Sequence, residues 1–256
     1  MAQFLFITDL DNTLVGDDEA LATLNAHLSQ HREEYGTLII YSSGRSPILY
    51  QELRTEYDLL EPDFLVLSVG TEIYQRGSDQ PDPEWQYYLS TGWDREQVLA
   101  IASHFSDLIP QPPSEQTDFK VSYFLDGSIA NEVMPRLEKA LRDNGLDVQF
   151  IYSSNKDFDI LPKNGNKGAA VAFLQQKMRM NGDRTVVCGD SGNDLSMFQQ
   201  TQAKGIIVGN AKSELRDWHQ TQASEDTYLA RARCAGGILE GLHHFEFLPL
   251  PSGFRP

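Results

Sequence analysis

The chain has 256 residues, 40% hydrophobic and 23% charged, with a formal net charge of −16. That length admits one large domain, or a core with a smaller domain attached, and so acidic a surface argues against nucleic acid or an anionic membrane as partner. No apolar run approaches the roughly 20 residues that cross a bilayer, and the first residues lack the basic and apolar regions of a secretory signal.

Residues 3–8 (QFLFIT) read as a buried strand, and Leu21, Leu24 and Leu28 mark an amphipathic helix over 18–31. A second strand at 37–42, a helix at 47–57 and a third strand at 63–70 follow. This order predicts a parallel sheet with helices on its faces. The rhythm then breaks at 77–85 (GSDQPDPEW), a stretch of turn formers and acids that reads as a linker. Beyond it lie a helix at 94–106, a proline-rich loop at 109–116, a strand at 119–125, a helix around Val133, Leu137 and Leu141, and strands at 147–154 and 157–162. The first rhythm returns with a helix at 166–178, strands at 185–190 and 205–209, a helix at 194–200 and another around Ile238 and Leu242, before a loose tail at 249–256. The expected fold is α/β: a Rossmann-like parallel-sheet core formed by 1–79 and 161–256, with an α+β cap domain inserted at 80–160.

Polar clusters stand where the carboxyl ends of the strands should lie, which is where α/β sheets place their sites. They are Asp9-Leu10-Asp11-Asn12-Thr13, Ser42-Ser43-Gly44-Arg45, Asn166-Lys167-Gly168 and Gly189-Asp190-Ser191-Gly192-Asn193-Asp194. Each alone reads equally well as a turn or a helix cap; four at neighbouring strand ends do not. Two carboxylates one residue apart at a strand tip can face one small site, where their repulsion calls for a cation. On so acidic a chain, an anionic substrate also needs local positive charge. Cys188, at the end of an apolar run, reads as a small buried hydrophobe, and having only two cysteines fits a reducing, cytoplasmic setting.

In kind and order these clusters resemble the four motifs of the haloacid dehalogenase superfamily, and the insertion resembles the α/β cap of its sugar-phosphatase branch. SVGTEIY at 68–74, FKVSY at 119–123, KDFDILP at 156–162 and GDSGNDLSMF at 189–198 are similar to the sucrose-phosphate phosphatase family. The resemblance implies Mg²⁺-dependent hydrolysis of sucrose 6-phosphate to sucrose and phosphate, the last step of sucrose biosynthesis. Asp9 would be the nucleophile that forms an aspartyl-phosphate, and Asp11 the general acid and base. Asp9, Asp190 and the Asp11 carbonyl would hold the metal, with Asp194 bracing that shell or Lys167. Ser43, Gly44, Lys167 and Asn193 would bind phosphate. The second motif often has Thr before Gly-Arg; here the choice between Ser42 and Ser43 stays open, with register favouring Ser43.

Lys156 and Lys163 compete with Lys167, which opens a helix ahead of a glycine. Glu72, Lys120, Lys156 and Asp159 are candidates for reading the sugar. A soluble sugar phosphate is the expected partner, and association with a sucrose-phosphate synthase is a further expectation of the resemblance. The core motifs alone leave three alternatives: a phosphatase of glucosylglycerol phosphate or mannosyl-phosphoglycerate, a non-catalytic sugar-phosphate-binding module, and a phosphomutase, for which nothing in the chain supplies a way to return the phosphoryl group to sugar.

Overall fold

The computed structural model describes residues 2–222 and 224–249; most of the expected loose tail, 250–256, lies outside the described residues. The first stretch folds as β1 (Leu5–Thr8), α1 (Asp18–Tyr35), β2 (Leu38–Ser42), α2 (Pro47–Glu56), β3 (Phe64–Leu67), β4 (Glu72–Gln75) and α3 (Pro83–Ser90). The middle stretch holds α4 (Arg95–Ala102), β5 (Ile109–Pro110), β6 (Val121–Phe124), α5 (Gly127–Asp143), β7 (Val148–Ser153) and β8 (Asp157–Pro162). The last holds α6 (Lys167–Met178), β9 (Thr185–Gly189), α7 (Leu195–Gln200), β10 (Lys204–Ile207), α8 (Ser213–Gln222), β11 (Thr227–Leu229) and α9 (Cys234–His244).

Among the described residues the larger sheet runs β11-β10-β9-β1-β2-β3-β4. Every neighbouring pair in it is parallel except β3 with β4. Both of its faces are covered, which is why β1 is apolar from Leu5 to Ile7. Phe4 and Phe6 pack with Leu24 and Leu28 of α1 and Ile238 and Leu242 of α9. Leu5 and Ile7 face the opposite layer, with Trp85 of α3 and Ala170, Val171 and Leu174 of α6. The chain leaves β1 toward β2 on one side and returns through β9 on the other, so the β1–β9 boundary is the sheet's switch point.

The smaller sheet, β5-β6-β8-β7, is antiparallel. One face is apolar: Val121, Tyr123, Phe158 and Ile160 pack against Val98 of α4 and Val133 and Leu137 of α5. By strand alternation its other face carries Ser122, Asp157 and Asp159.

The linker read at 77–85 ends sooner than expected. Asp82 caps α3 through Oδ1, accepting from Glu84 N and Trp85 N, and Pro83 opens the helix. Asp-Pro is a helix start as well as a turn signal. Trp85 is buried in the core layer and donates from Nε1 to the Gly70 carbonyl at 3.1 Å, so the segment read as the start of the cap begins with a helix that packs on the core. The third strand is also shorter than expected: after Leu67 the chain turns tightly through Ser68–Gly70, with Ser68 and Val69 at φ 52° and 61°. Left-handed backbone in a β-branched valine is strained, and interlocking bonds hold it, Ser68 N donating to Arg45 O and Val69 N to Ser43 O.

Gly70 follows at φ 97°, and a Cβ there would lie 2.3 Å from the Asn166 backbone, just ahead of α6. Gly70→Ala should therefore destabilise the protein by about 2 kcal/mol or more in urea unfolding. Native-like stability would refute this close approach between the β3 turn and α6.

Candidate active site

Asp9 follows β1 directly and Asp190 follows β9, two strands paired with Thr8 beside Cys188. Their carboxylates therefore meet at the switch point, and Asp9 N donates to Cys188 O at 3.0 Å. Cys188 itself packs in the core, where burial pushes its thiol well above the ordinary range. Lys167 is the first residue of α6, which Asn166 caps by accepting from Ala169 N. The next residue, Gly168, lets α6 approach α7: a Cβ there would meet the Ser196 carbonyl at 2.1 Å.

This packing buries Lys167 completely, at 0% exposure. Its Nζ donates to Asp9 Oδ1 and Asp194 Oδ1, each at 2.6 Å, and to Asn193 Oδ1 at 3.3 Å. Asp194 Oδ2 accepts from the backbone N–H groups of Asp190 and Ser191, each at 3.0 Å. Asp194 is thus a strut joining the lysine to the loop that carries Asp190. The other two lysines are elsewhere. Lys163 pairs with Asp147 in the exposed region, and the Lys156 ammonium lies 4.3 Å from the centre of the Phe124 ring.

Carboxylate oxygens of Asp9, Asp190 and Asp194 lie within 4.8 Å of one another. Burial raises the Asp9 carboxyl, and Asp194 and Asp190 add to the rise against the pull of Lys167. Asp190 is pushed up to about 6 by burial and then by Asp194. Burial alone would depress Lys167, but the charges of Asp194 and Asp9 outweigh it and raise the ammonium. Asp9 and Asp190 thus form a buried carboxyl pair whose charged forms burial and mutual repulsion disfavour, hard oxygen donors for which one lysine is incomplete compensation. The cluster fits a divalent cation.

Asp11 stands at the mouth of the site, its side chain 43% exposed. Its two oxygens accept from Arg45 Nε and Nη2, both at 2.7 Å. Of the two serines, Ser43 Oγ accepts from Arg45 N at 3.2 Å, while Ser42 Oγ is buried without a partner. Asn193 Oδ1 also accepts from Ser191 Oγ at 3.1 Å.

These groups open into a cavity of about 360 Å³ between the strand tips and the smaller sheet, with Asp9, Asp11, Gly44, Arg45, Asp190 and Asn193 on one wall and Gln111, Glu115, Lys120, Asp157 and Asp159 on the other. Lys120 is nearly buried and 3.3 Å from Glu115 Oε2, and Asp159 Oδ1 accepts from Ser122 Oγ at 2.5 Å. Of the sugar candidates, Lys120 and Asp159 therefore reach the cavity. Glu72 accepts from Ser68 Oγ at 2.9 Å and is not among the lining residues. Lys156 is corrected: it lies in the turn between β7 and β8 with its ammonium over the Phe124 ring, and it does not line this cavity. Strand parity within β8 identifies Asp157, two residues from Asp159, which the sequence reading missed. It also missed Arg45, although it quoted that residue inside a motif, and Lys212, beyond the end of β10. None of Trp85, Trp93 and Trp218 lines this cavity.

A sucrose-6F-phosphate phosphohydrolase family model matches residues 2–246. The chain is 40% identical over 255 residues to a probable sucrose-phosphatase 2 of Arabidopsis thaliana, covering 96% of this chain and 60% of that protein. It thus spans about 60% of the length of the plant relatives. A mannosylfructose-phosphate phosphatase of Agrobacterium fabrum is 32% identical over 247 residues, covering 96% of this chain and 98% of the relative. The structure of a sucrose-phosphatase from Synechocystis sp. PCC6803 in complex with sucrose and phosphate superposes with a TM-score of 0.88 at 43% identity, covering 96% of this chain and 99% of that one. The chain belongs to the sucrose-6F-phosphate phosphohydrolase family.

Proposed function

We propose that the protein is an Mg²⁺-dependent phosphatase that hydrolyses sucrose 6-phosphate to sucrose and phosphate, with 1–79 and 161–256 as its core, α3 packed on that core, and the rest of 80–160 as its cap. The observation that carries the reading is the Asp9 carboxylate held by buried Lys167 at the sheet's switch point, facing a cavity whose far wall is polar. Magnesium suits an all-oxygen site; Asp9, Asp190 and the Asp11 carbonyl would hold it, with Asp194 as the brace. When bound it would offset the carboxylate repulsion and the charge of the phosphate.

Asp9 attacks phosphorus in line while the bond to the sugar oxygen breaks, and Asp11 delivers a proton to that oxygen. Water then attacks the aspartyl-phosphate, losing its proton to Asp11, and phosphate leaves with Asp9 regenerated. Phosphoryl transfer depends mainly on positioning and charge. Lys167, the Ser43 hydroxyl, the Gly44 N–H and the Asn193 amide would hold the phosphate oxygens. On the cap side, Lys120, Asp159, Glu115 and Asp157 would meet the sugar hydroxyls, with Glu72 supporting the turn beside them.

The test is phosphate release across sucrose 6-phosphate, mannosylfructose phosphate, glucosylglycerol phosphate, mannosyl-phosphoglycerate and glucose 6-phosphate. The highest kcat/KM is expected for sucrose 6-phosphate, abolished by EDTA and restored by Mg²⁺. The Agrobacterium relative, matched over nearly its full length, favours mannosylfructose phosphate as the second reading; a higher kcat/KM there would move the substrate and leave the chemistry. Sugar-phosphate binding without turnover would instead indicate the non-catalytic module. Cytoplasmic residence and association with a sucrose-phosphate synthase belong to the proposal, the latter tested by size exclusion of the mixture. Among the described residues no helix is long and apolar enough to cross a membrane.

A further inference from the structure

We infer that Arg45 is a positioning residue for Asp11: its guanidinium fixes the carboxyl group so that an oxygen position it leaves free carries the proton to the leaving oxygen and later takes one from the attacking water. The inference rests on the proposed role of Asp11 as general acid. Asp11 lies in a turn, with Asn12 beyond it at φ 59°, and is far more exposed than Asp9, Asp190 or Asp194. Left alone, such a side chain samples several rotamers, and holding one has an entropic cost. Arg45 removes that freedom with a planar two-point grip, 2.7 Å on each oxygen.

The grip is itself anchored. Arg45 Nη1 donates to Leu49 O at 3.1 Å in the first turn of α2, and the Arg45 carbonyl accepts from Ser68 N at 2.8 Å. That second bond ties it to the strained turn whose Val69 lines the cavity. The arginine thus belongs to the core elements and not to the smaller sheet. Each carboxylate oxygen offers two lone-pair sites, and Arg45 occupies one on each. A bond to the leaving oxygen, or to the attacking water, remains available while the clamp is closed. Lysine could not replace it, because an ammonium offers no planar fork.

The prediction is selective. Proton delivery matters when the leaving group is a sugar alkoxide, and far less when it is p-nitrophenolate, which departs as a stable anion. Because kcat/KM reports only steps through phosphorylation of Asp9, Arg45→Gln should lower it for sucrose 6-phosphate by roughly 10²-fold. The fall for p-nitrophenyl phosphate should be roughly tenfold smaller. Arg45→Lys should show the same selectivity, and adding Asp11→Asn to either should give little further loss for the sugar phosphate, since both changes act through one group. Equal losses for the two phosphates, or full rescue by lysine, would overturn the assignment, because a merely structural or phosphate-binding arginine affects both substrates alike. If the native enzyme releases phosphate from neither compound, the phosphatase reading fails; if it turns over both and the selectivity is absent, only the role of Arg45 fails.

Discussion

Asp9→Asn should lower turnover by about 10⁴-fold or more while leaving the fold intact. The substitution is nearly isosteric, so the packing around the tip of β1 is kept. The amide is no nucleophile toward phosphorus, and the neighbouring carboxylates have other duties: Asp194 is engaged with Lys167 and two backbone N–H groups, Asp11 is held by Arg45, and Asp190 would hold the proposed metal. Rapid quench with labelled phosphate ester separates the two proposed roles. Native enzyme should acquire acid-stable, hydroxylamine-labile label, and Asp9→Asn should acquire none. Asp11→Asn, given p-nitrophenyl phosphate, should accumulate label, because the first step needs little acid and the second has lost its base. Label on Asp9→Asn, or near-native turnover by it, would show that the nucleophile is a different group.

Lys167→Met should be the most damaging substitution to stability, by about 3–5 kcal/mol. Methionine fills a similar volume, so the loss is electrostatic: it strands Asp9 and Asp194, both nearly or fully buried, without the cation that now sits 2.6 Å from each. The melting temperature should fall by roughly 10 °C. Adding Asp194→Asn to the methionine variant should restore part of that loss, because one of the two stranded charges goes with it. A methionine variant as stable as the native protein would show that the buried pair contributes nothing net. The converse holds for Asp190, whose carboxyl is raised to about 6 by burial and Asp194. A carboxyl raised on folding destabilises the native state once pH exceeds its unfolded value. Asp190→Asn should therefore raise the metal-free melting temperature at pH 7.5 by about 2–4 °C, and should abolish the added stability that Mg²⁺ confers on the native protein. A lower metal-free melting temperature in that variant would argue against the disfavoured carboxyl pair.

Local physics made much of this legible in advance. A strand covered on both faces must be mostly apolar, so β1, β2 and β9 announced themselves, and with them the strand tips that carry Asp9, Ser43 and Asp190. Helical spacing likewise marked α1 and α5, whose buried leucines are the ones expected. Where two local signals coincide the reading blurred. Asp-Pro-Glu-Trp reads as a turn until Trp85 has a core to enter, and only the tertiary fold supplies that core.

The charges at the site were a different matter. Among Lys156, Lys163 and Lys167, helix start and the following glycine singled out Lys167, but that it meets Asp9 across 158 positions of sequence follows only from the packing of α6 on the sheet. The grip of Arg45 on Asp11 spans 34 positions, and no periodicity reports it. On the cap side, strand parity was present in the sequence and would have put Asp157 beside Asp159. Which face of that sheet turns toward the strand tips was not. By itself the sequence determined the strands, the order of the motifs and the chemical kinds of group at the site, because these follow from local burial and spacing. Only the tertiary structure decided which charges meet, because the strength of an ion pair depends on distance and burial, and neither is a property of neighbouring residues.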